Sequence, residues 1–261
     1  MKRFSFLLLL VVSVSIALFT ACQKENLQQV ANPVKSDQTA GERAPYIYGV
    51  SVFAKNNPSL LHTIDAATGQ VILSVQVFLL DSNGNPFFLN DLKGVCTYGD
   101  QVWVTTGFNA IDAYSYLLVK VDPHTGLAGI ISHGDPAIGA VSDIDYDPNG
   151  DVVYGLANNS NTLIKIEDNG NNWGTYSTVG AIQGLGGGTA KGLSMVRDNG
   201  GSLVVATTGQ LNGNAQIYSV PFNAGLATFK ANVNPANQLG NGHCGIGFDV
   251  DLNAMLINRA T

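Results

Sequence analysis

The sequence predicts an all-β fold built from a repeated unit of four antiparallel strands. Thirty of the 261 residues are glycine, and short Val, Ile and Leu runs alternate with turn-forming clusters. Two phrases recur about every 50 residues, which indicates repeated structural units. After residue 45 we find no convincing amphipathic helix pattern, so the fold class is all-β.

Each recurring phrase is an alternating strand that ends in a turn. One phrase reads LHTIDAATG from Leu61, LVKVDPHTG from Leu118, LIKIEDNG from Leu163 and IYSVPFNAG from Ile217. The other reads GVCTYGD from Gly94, DIDYDPNGD from Asp143, GLSMVRDNGG from Gly192 and GIGFDVDLN from Gly245. Further strands, such as QVWVTTGF and LAGIIS, lie between the phrases and complete a unit of four strands, A to D.

This repeat predicts a β-propeller of four-stranded antiparallel blades. One such blade cannot bury both of its faces alone, so blades must stack on their neighbours. A β-sandwich would not need a regular repeat, and a β-solenoid would have a shorter period. Residues 46–261 would form the propeller.

The repeats predict about four blades and a partial fifth. The first unit supplies strands B, C and D, three complete units follow, and GIGFDVD and AMLINRAT supply a last A and B. Because AMLINRAT is then surplus, we expect the chain to be a fragment of a larger ring of six to eight blades. Two alternatives stay open: a small ring closed by pairing GIGFDVD with YIYGVSVF, and closure through another chain.

The motif xIDxxTG at the end of strand C resembles the repeats of quinoprotein-like and YVTN-type propellers. The resemblance covers residues 46–261 and implies the propeller fold. The tryptophan-rich docking signature of true quinone-cofactor dehydrogenases is missing from the sequence, so we expect no cofactor.

The beginning of the chain predicts export and lipid attachment. Residues 1–21 have a charged start and an apolar run, as signal peptides do, and LFTAC resembles a bacterial lipobox with Cys22 as the lipidated residue. An ordinary secretory signal or a retained membrane anchor is the alternative. The polar residues 22–45 read as a flexible tether. We therefore expect a cell-envelope, outer-membrane lipoprotein that is anchored in the membrane by lipid, either periplasmic or surface-exposed.

The net charge argues against one class of partner, and the cysteines allow one disulfide. The formal net charge of −6, with only 12% charged residues, argues against nucleic acid as a partner because phosphate backbones require basic patches. In an oxidising compartment Cys96 and Cys244 can form a disulfide, although buried free thiols are the interpretation that we favour.

Because the strands of a blade are antiparallel, successive connections lie alternately at the two ends of the blade. The A–B and C–D turns are short, whereas the B–C and D–A connections at the opposite end are long and polar, as binding loops are. This loop-rich end holds the candidate ligand site, in which Lys93 and Lys191 would hold an anion unless they are simply solvated. The candidate site residues are Lys93, Lys191, His133, Asp135, Asp143 and His243.

A metal site is a weaker expectation. Asp145, Asp147 and Asn149 match the first half of an EF-hand calcium loop, but Leu156 stands where the loop needs glutamate. A hairpin turn explains the same residues, and a weak calcium site stays open. No paired histidine spacing suggests zinc.

The sequence therefore favours a binding or interaction module. A glycan, peptide or protein partner would meet the loop-rich end, with Tyr114, Tyr116 and Trp173 available for stacking unless they pack between blades. The alternative is a hydrolase or lyase in the channel, with or without the assistance of a metal ion. That activity needs acidic or histidine residues from several A strands, and only Asp143 and Asp145, from one blade, are near.

Overall fold

The computed structural model describes residues 46–51, 59–109, 112–157, 160–170, 173–196, 202–207, 216–232, 245–248 and 254–257. These residues belong to one compact unit, which spans Pro45–Thr261. The predicted lipidation site Cys22, the signal peptide and the tether lie outside the described residues, as do His243 and Cys244. Within the described part of the chain, no helix is long and apolar enough to cross a membrane.

Four antiparallel sheets form the blades of a β-propeller, as the repeat predicts. Blade 1 consists of β1 (Tyr46–Ser51), β2 (Leu60–Asp65) and β3 (Val71–Gln76). A small hairpin follows, formed by β4 (Phe78–Leu80) and β5 (Pro86–Phe88). Blade 2 consists of β6 (Leu92–Tyr98), β7 (Gln101–Thr106), β8 (Leu117–Val121) and β9 (Ala128–His133), with a 3-10 turn at Asp112–Tyr114.

The later blades repeat this order. Blade 3 consists of β10 (Val141–Asp147), β11 (Val152–Ala157), β12 (Thr162–Asp168) and β13 (Trp173–Gln183). Blade 4 consists of β14 (Ala190–Val196), β15 (Ser202–Thr207), β16 (Gln216–Val220) and β18 (Thr228–Asn232), and the short β17 (Gly225–Leu226) pairs in parallel with β13. The pair β19 (Gly245–Phe248) and β20 (Ala254–Ile257) forms the partial fifth blade.

Blade stacking explains why several strands are apolar at nearly every position. Successive side chains of a strand point to opposite faces, and each face of an inner blade packs on a neighbour. In β7, Val102 and Val104 join the core between blades 1 and 2, whereas Trp103 joins the core between blades 2 and 3. In β12, Leu163 faces blade 4 and Ile164 faces blade 2 in the same way. Three cores therefore lie between four blades.

The A strands lie side by side, with β6 next to β10, β10 next to β14 and β14 next to β19. Gly94 of β6 allows the closest approach: a Cβ there would lie 2.6 Å from Cα of Asp143 in β10. The pairing of GIGFDVD with YIYGVSVF is not formed among the described strands, because β1 is an edge strand of its sheet and β19 pairs with β20. Tyr46–Ser51 packs instead against β6.

One connection has more structure than the sequence indicated. The polar stretch after β3 was expected to be a loop, and it contains the hairpin of β4 and β5. Its turn is fixed by Asp81, whose Oδ1 accepts hydrogen bonds from the N–H groups of Asn83 and Asn85, both at 2.8 Å. Gly84 takes a positive φ of 81° there, which glycine adopts without strain.

Candidate functional site

The connections of blade 2 differ in length at its two ends, whereas the A–B and B–C connections of blade 3 are both four residues long. In blade 2, β6 and β7 are joined by Gly99 and Asp100 alone, whereas ten residues separate β7 from β8. The long B–C and D–A connections share the loop-rich end with the beginnings of the A strands. One surface at that end is the top of blade 2, where β7 ends and β8 begins.

A buried polar network holds this top in place. Asn109, which is 2% exposed, donates from Nδ2 to the carbonyl of Tyr114 (2.8 Å) and accepts at Oδ1 from the N–H of Asn90 (3.1 Å). Its own N–H donates to Oγ of Ser115 at 2.8 Å. Ser59, which is fully buried, donates to the carbonyl of Asn90 at 2.7 Å. The loop after β7 is thus bonded to the chain before β6 and to blade 1.

An ion pair and an exposed aromatic ring lie on this network. Lys93 Nζ lies 2.7 Å from Asp91 Oδ1, and the two side chains are only 12% and 24% exposed. The other carboxylate oxygen, Oδ2, accepts the N–H of Phe108 at 3.1 Å. Phe108 itself is 60% exposed, more than most apolar side chains of the described residues. We call Asp91, Lys93 and Phe108 the blade-2 platform.

Gly107 makes room for this platform. A Cβ at residue 107 would overlap Asp91 Oδ2 and lie 2.7 Å from Cε of Lys93. The N–H of Gly107 donates to the carbonyl of Asp91 at 2.6 Å, and its carbonyl accepts from Tyr116 at 2.9 Å. The ion pair therefore lies directly over backbone that is hydrogen-bonded on both sides.

Two of the predicted acidic residues join neighbouring blades. Asp143 accepts the N–H of Leu193 in β14 at 2.8 Å and the N–H of Ile144 at 3.0 Å. Asp145 accepts the N–H of Met195 at 2.7 Å and the hydroxyl of Ser194 at 2.9 Å through one oxygen. These carboxylates bind backbone and hydroxyl groups of blade 4 in the structure.

The Asp143 carboxyl has an unusual environment. Burial raises its pKa well above the ordinary value of 3.8, and the nearby charge of Asp145 adds to the increase. The N–H donors of Leu193 and Ile144 act in the opposite direction, but burial outweighs them. A group with these properties makes the stability of the fold depend on pH.

The other candidates that the structure describes lie in different elements. His133 is exposed at the end of β9, and Asp135 accepts the N–H of Ala137 at 2.8 Å in the following turn. Asp147 accepts the N–H of Asn149 at 2.9 Å, as a hairpin turn requires, and Lys191 lies in β14. Among the residues that the structure describes, no three His, Cys, Asp or Glu side chains are grouped for metal binding.

Two of the three aromatic residues proposed for stacking, Tyr114 and Trp173, pack against other rings. The Tyr114 ring packs on Phe87, with centroids 4.6 Å apart. Trp173 packs on Tyr98 and on Trp103, each at 5.1 Å, and Tyr98 stacks on Trp103 at 4.5 Å. Together with Tyr146, these rings join blades 2 and 3 at the short-turn end. We call Tyr98, Trp103, Tyr146 and Trp173 the aromatic cluster.

Cys96 is a free thiol in the core between blades 2 and 3, and burial raises its pKa well above the ordinary value. Because the thiolate is the reactive form, we expect Cys96 to react with a thiol reagent only when the fold opens. Labelling of the native protein should be the same in wild type and Cys96→Ser. In urea, the wild type should label at one more thiol than the Cys96→Ser variant does. Fast native labelling that depends on Cys96 would contradict this.

The sequence did not lead us to Asp91 and Phe108. A lysine two residues after an aspartate in a strand is a weak signal, because it is ordinary on a solvated surface. A sharper signal was the Gly107-Phe108 pair after β7, where an apolar ring follows a glycine in a polar loop. Only the pairing of β6 with β7 shows that this glycine lies beneath the two charges.

Comparisons with known proteins found solved structures that are similar at low sequence identity. No protein-family model matches the sequence, and no curated protein matches it. A nidogen/laminin complex matches with 12% identity and a TM-score of 0.46, covering 76% of this chain and 66% of that one. The PQQ-bound aldose sugar dehydrogenase of Streptomyces coelicolor matches with 17% identity and a TM-score of 0.40, covering 66% and 57%.

An auxiliary nutrient binding protein of Bacteroides thetaiotaomicron matches with 11% identity and a TM-score of 0.44, covering 83% of this chain and 64% of that one. This chain thus covers less than two thirds of the length of each of these three proteins. Likenesses at this level concern the fold alone, and this protein is a β-propeller.

Proposed function

We propose that this protein is a lipid-anchored lipoprotein of the cell envelope whose propeller binds a glycan, peptide or protein ligand at its loop-rich end. The blade-2 platform carries the binding part of this proposal. A ring that is 60% exposed is held beside an ion pair by a loop with its own buried hydrogen bonds. A surface that is rigid before binding loses little conformational entropy when a ligand arrives.

The buried network strengthens the argument for binding. A connecting loop needs no fully buried side chains, and desolvating polar groups costs free energy unless every group is paired. Here Asn109 and Ser115 are at most 8% exposed and bind each other's backbone or side chain. These hydrogen bonds hold Asn109 and Ser115 in place next to the platform, as expected for a binding surface on a rigid scaffold.

The alternative, a channel hydrolase or lyase, has less support. Asp143 and Asp145, the acidic residues expected near the axis, have their oxygens bonded to β14 and to their own strand. His133 is exposed, and it lies at the loop-rich end. We would adopt this alternative if a metal-dependent hydrolysis were lost in His133→Ala.

The anchoring part of the proposal rests on the lipobox resemblance at Cys22. In a bacterial host that acylates lipoproteins, the wild type should incorporate labelled palmitate and sediment with membranes. Cys22→Ser should lose the label and appear in the soluble fraction, because a lipid chain supplies the membrane affinity. A Cys96→Ser variant is the matched control. Equal labelling of Cys22→Ser would refute the anchor and leave the binding site untouched.

The binding part is tested with the mature chain on a mixed array of oligosaccharides and peptides. We expect at least one binder whose affinity falls in Phe108→Ala and stays unchanged in Phe229→Ala. Phe229, in β18 of blade 4, is also exposed and serves as the matched phenylalanine. An absence of any binder, or binding that Phe108→Ala leaves intact, would contradict the proposal.

A further inference from the structure

We propose that the blade-2 platform is a subsite for a neutral saccharide. Asp91 and Lys93 would bond two adjacent hydroxyl groups, and the ring of Phe108 would lie against the apolar C–H face of the sugar. This inference rests on the proposed binding function and specifies the chemistry of its ligand.

The polar half of the subsite offers both donors and acceptors. The ammonium of Lys93 has three N–H donors, of which Asp91 occupies one, and each carboxylate oxygen of Asp91 has a second lone pair beyond the bond described above. A hydroxyl group both donates and accepts. Two neighbouring hydroxyls can therefore bond this pair at once, one donating to Asp91 and the other accepting from Lys93.

The charges of the pair favour an uncharged ligand. Because Asp91 neutralises Lys93 at 2.7 Å, an anion would gain the attraction of the lysine and meet the repulsion of the aspartate. A cation would be attracted by the aspartate and repelled by the lysine. The ion pair has no net charge, and a saccharide without a carboxylate or sulfate has none either. The anion first considered for Lys93 is thus the less favoured ligand at this subsite.

The apolar half is held in register with the polar half. The backbone N–H of Phe108 is bonded to the same carboxylate that pairs with Lys93, so the backbone that carries the ring and the ion pair are fixed to each other. On the other side, Asn109 is anchored by Ser115 and Tyr114. A pyranose has polar edges and an apolar face, and this surface has a polar edge beside an exposed apolar ring.

Gly107 allows a test that separates the subsite from the fold. Alanine at 107 would push the Asp91 and Lys93 side chains away from the backbone, since its Cβ overlaps Asp91 Oδ2. The atoms that this Cβ would meet belong to side chains and not to backbone, so they can shift without moving a strand. We therefore expect Gly107→Ala to disrupt the platform while leaving the stability of the protein nearly unchanged.

The probes are cellohexaose, maltohexaose, xylohexaose and mannohexaose, with hexagalacturonate as the anionic comparison. At least one neutral hexasaccharide should bind the full mature chain in titration calorimetry more tightly than hexagalacturonate does. Phe108→Ala and Gly107→Ala should each weaken that binding about tenfold or more, which is the loss of one good stacking contact or ion-pair contact. Phe108→Tyr should retain it, and Phe229→Ala should match wild type.

Several results would overturn the inference. No neutral hexasaccharide binding at about 10 mM would do so, as would binding of hexagalacturonate alone. Saccharide binding that survives both Phe108→Ala and Gly107→Ala would place the sugar elsewhere and would also remove the support for the platform. A peptide ligand lost in Phe108→Ala would refute the saccharide and leave the proposed binding function in place.

Discussion

Replacing Trp103 with alanine is expected to lower the free energy of unfolding by about 3–5 kcal/mol. Trp103 is 2% exposed, lies in the core between blades 2 and 3, and contacts Tyr98 and Trp173 in the aromatic cluster. Alanine removes the whole indole and leaves a cavity between two blades that are held by their strands and cannot simply collapse. Urea unfolding followed by far-UV circular dichroism measures the loss.

The matched control is Trp103→Phe, which keeps an aromatic ring in the cluster and should cost clearly less than the alanine variant. Trp103 and Trp173 are the two tryptophans of the chain, and both lie in the aromatic cluster, so tryptophan emission reports on the contact between blades 2 and 3. Emission and circular dichroism should change together in urea. A loss below about 1 kcal/mol for Trp103→Ala would mean that the cluster is not packed as described.

Replacing Asp143 with alanine is expected to lower the free energy of unfolding by about 2–4 kcal/mol, because three backbone N–H groups lose their acceptor. These groups belong to Leu193 in β14, to Ile144 in β10 and to Val95 in β6. Water cannot replace the carboxylate unless the blades separate. Thermal and urea unfolding of the variant measure the loss, and a value near zero would show that the contact between β10 and β14 does not depend on Asp143.

Asp143 should also make the loss depend on pH. Its folded-state pKa lies above its unfolded value, so the native state takes up a proton at a higher pH than the unfolded chain does. The contribution of Asp143 to stability therefore rises as pH falls through the folded pKa, and it is complete below the ordinary value of 3.8. The difference between wild type and Asp143→Ala should widen from neutral pH toward pH 4.

Asp143→Asn separates the two effects of Asp143. The amide keeps the size of the side chain and one acceptor oxygen, so this variant should be more stable than Asp143→Ala. Because it does not titrate, it should also lack the pH-dependent part of the wild-type stability. If wild type and Asp143→Asn lost stability in parallel as pH rises, the dependence would come from another group.

The sequence was sufficient to predict the repeat and most of the strands, because each depends on a local pattern. Phrases such as those at Leu118 and Asp143 alternate apolar residues and end in turn residues, and they became β8 and β10. The hairpin of β4 and β5 was missed, although Asn83-Gly84 is a strong hairpin turn signal. Its flanking apolar runs are only three residues long in the structure, too short to show alternation.

The site was harder to predict because its parts come from different strands. Lys93 was identified as a candidate, but its partner Asp91 and the neighbouring Phe108 meet only through the pairing of β6 and β7. Asp143 was identified from its position, yet its contact with Leu193 joins residues 50 apart in the sequence. Such contacts depend on how one blade is aligned with the next, which a single sequence does not encode locally.

The bonds from Asp143 and Asp145 to β14 span 49 or 50 residues, the length of one repeat. Among the described strands, the main contacts between blades therefore join neighbouring units, as in linear repeat arrays. Folding can begin at any adjacent pair of blades and extend one unit at a time. Pulled from one end, for instance by a protease that unfolds its substrate, the chain would release its blades in sequence order.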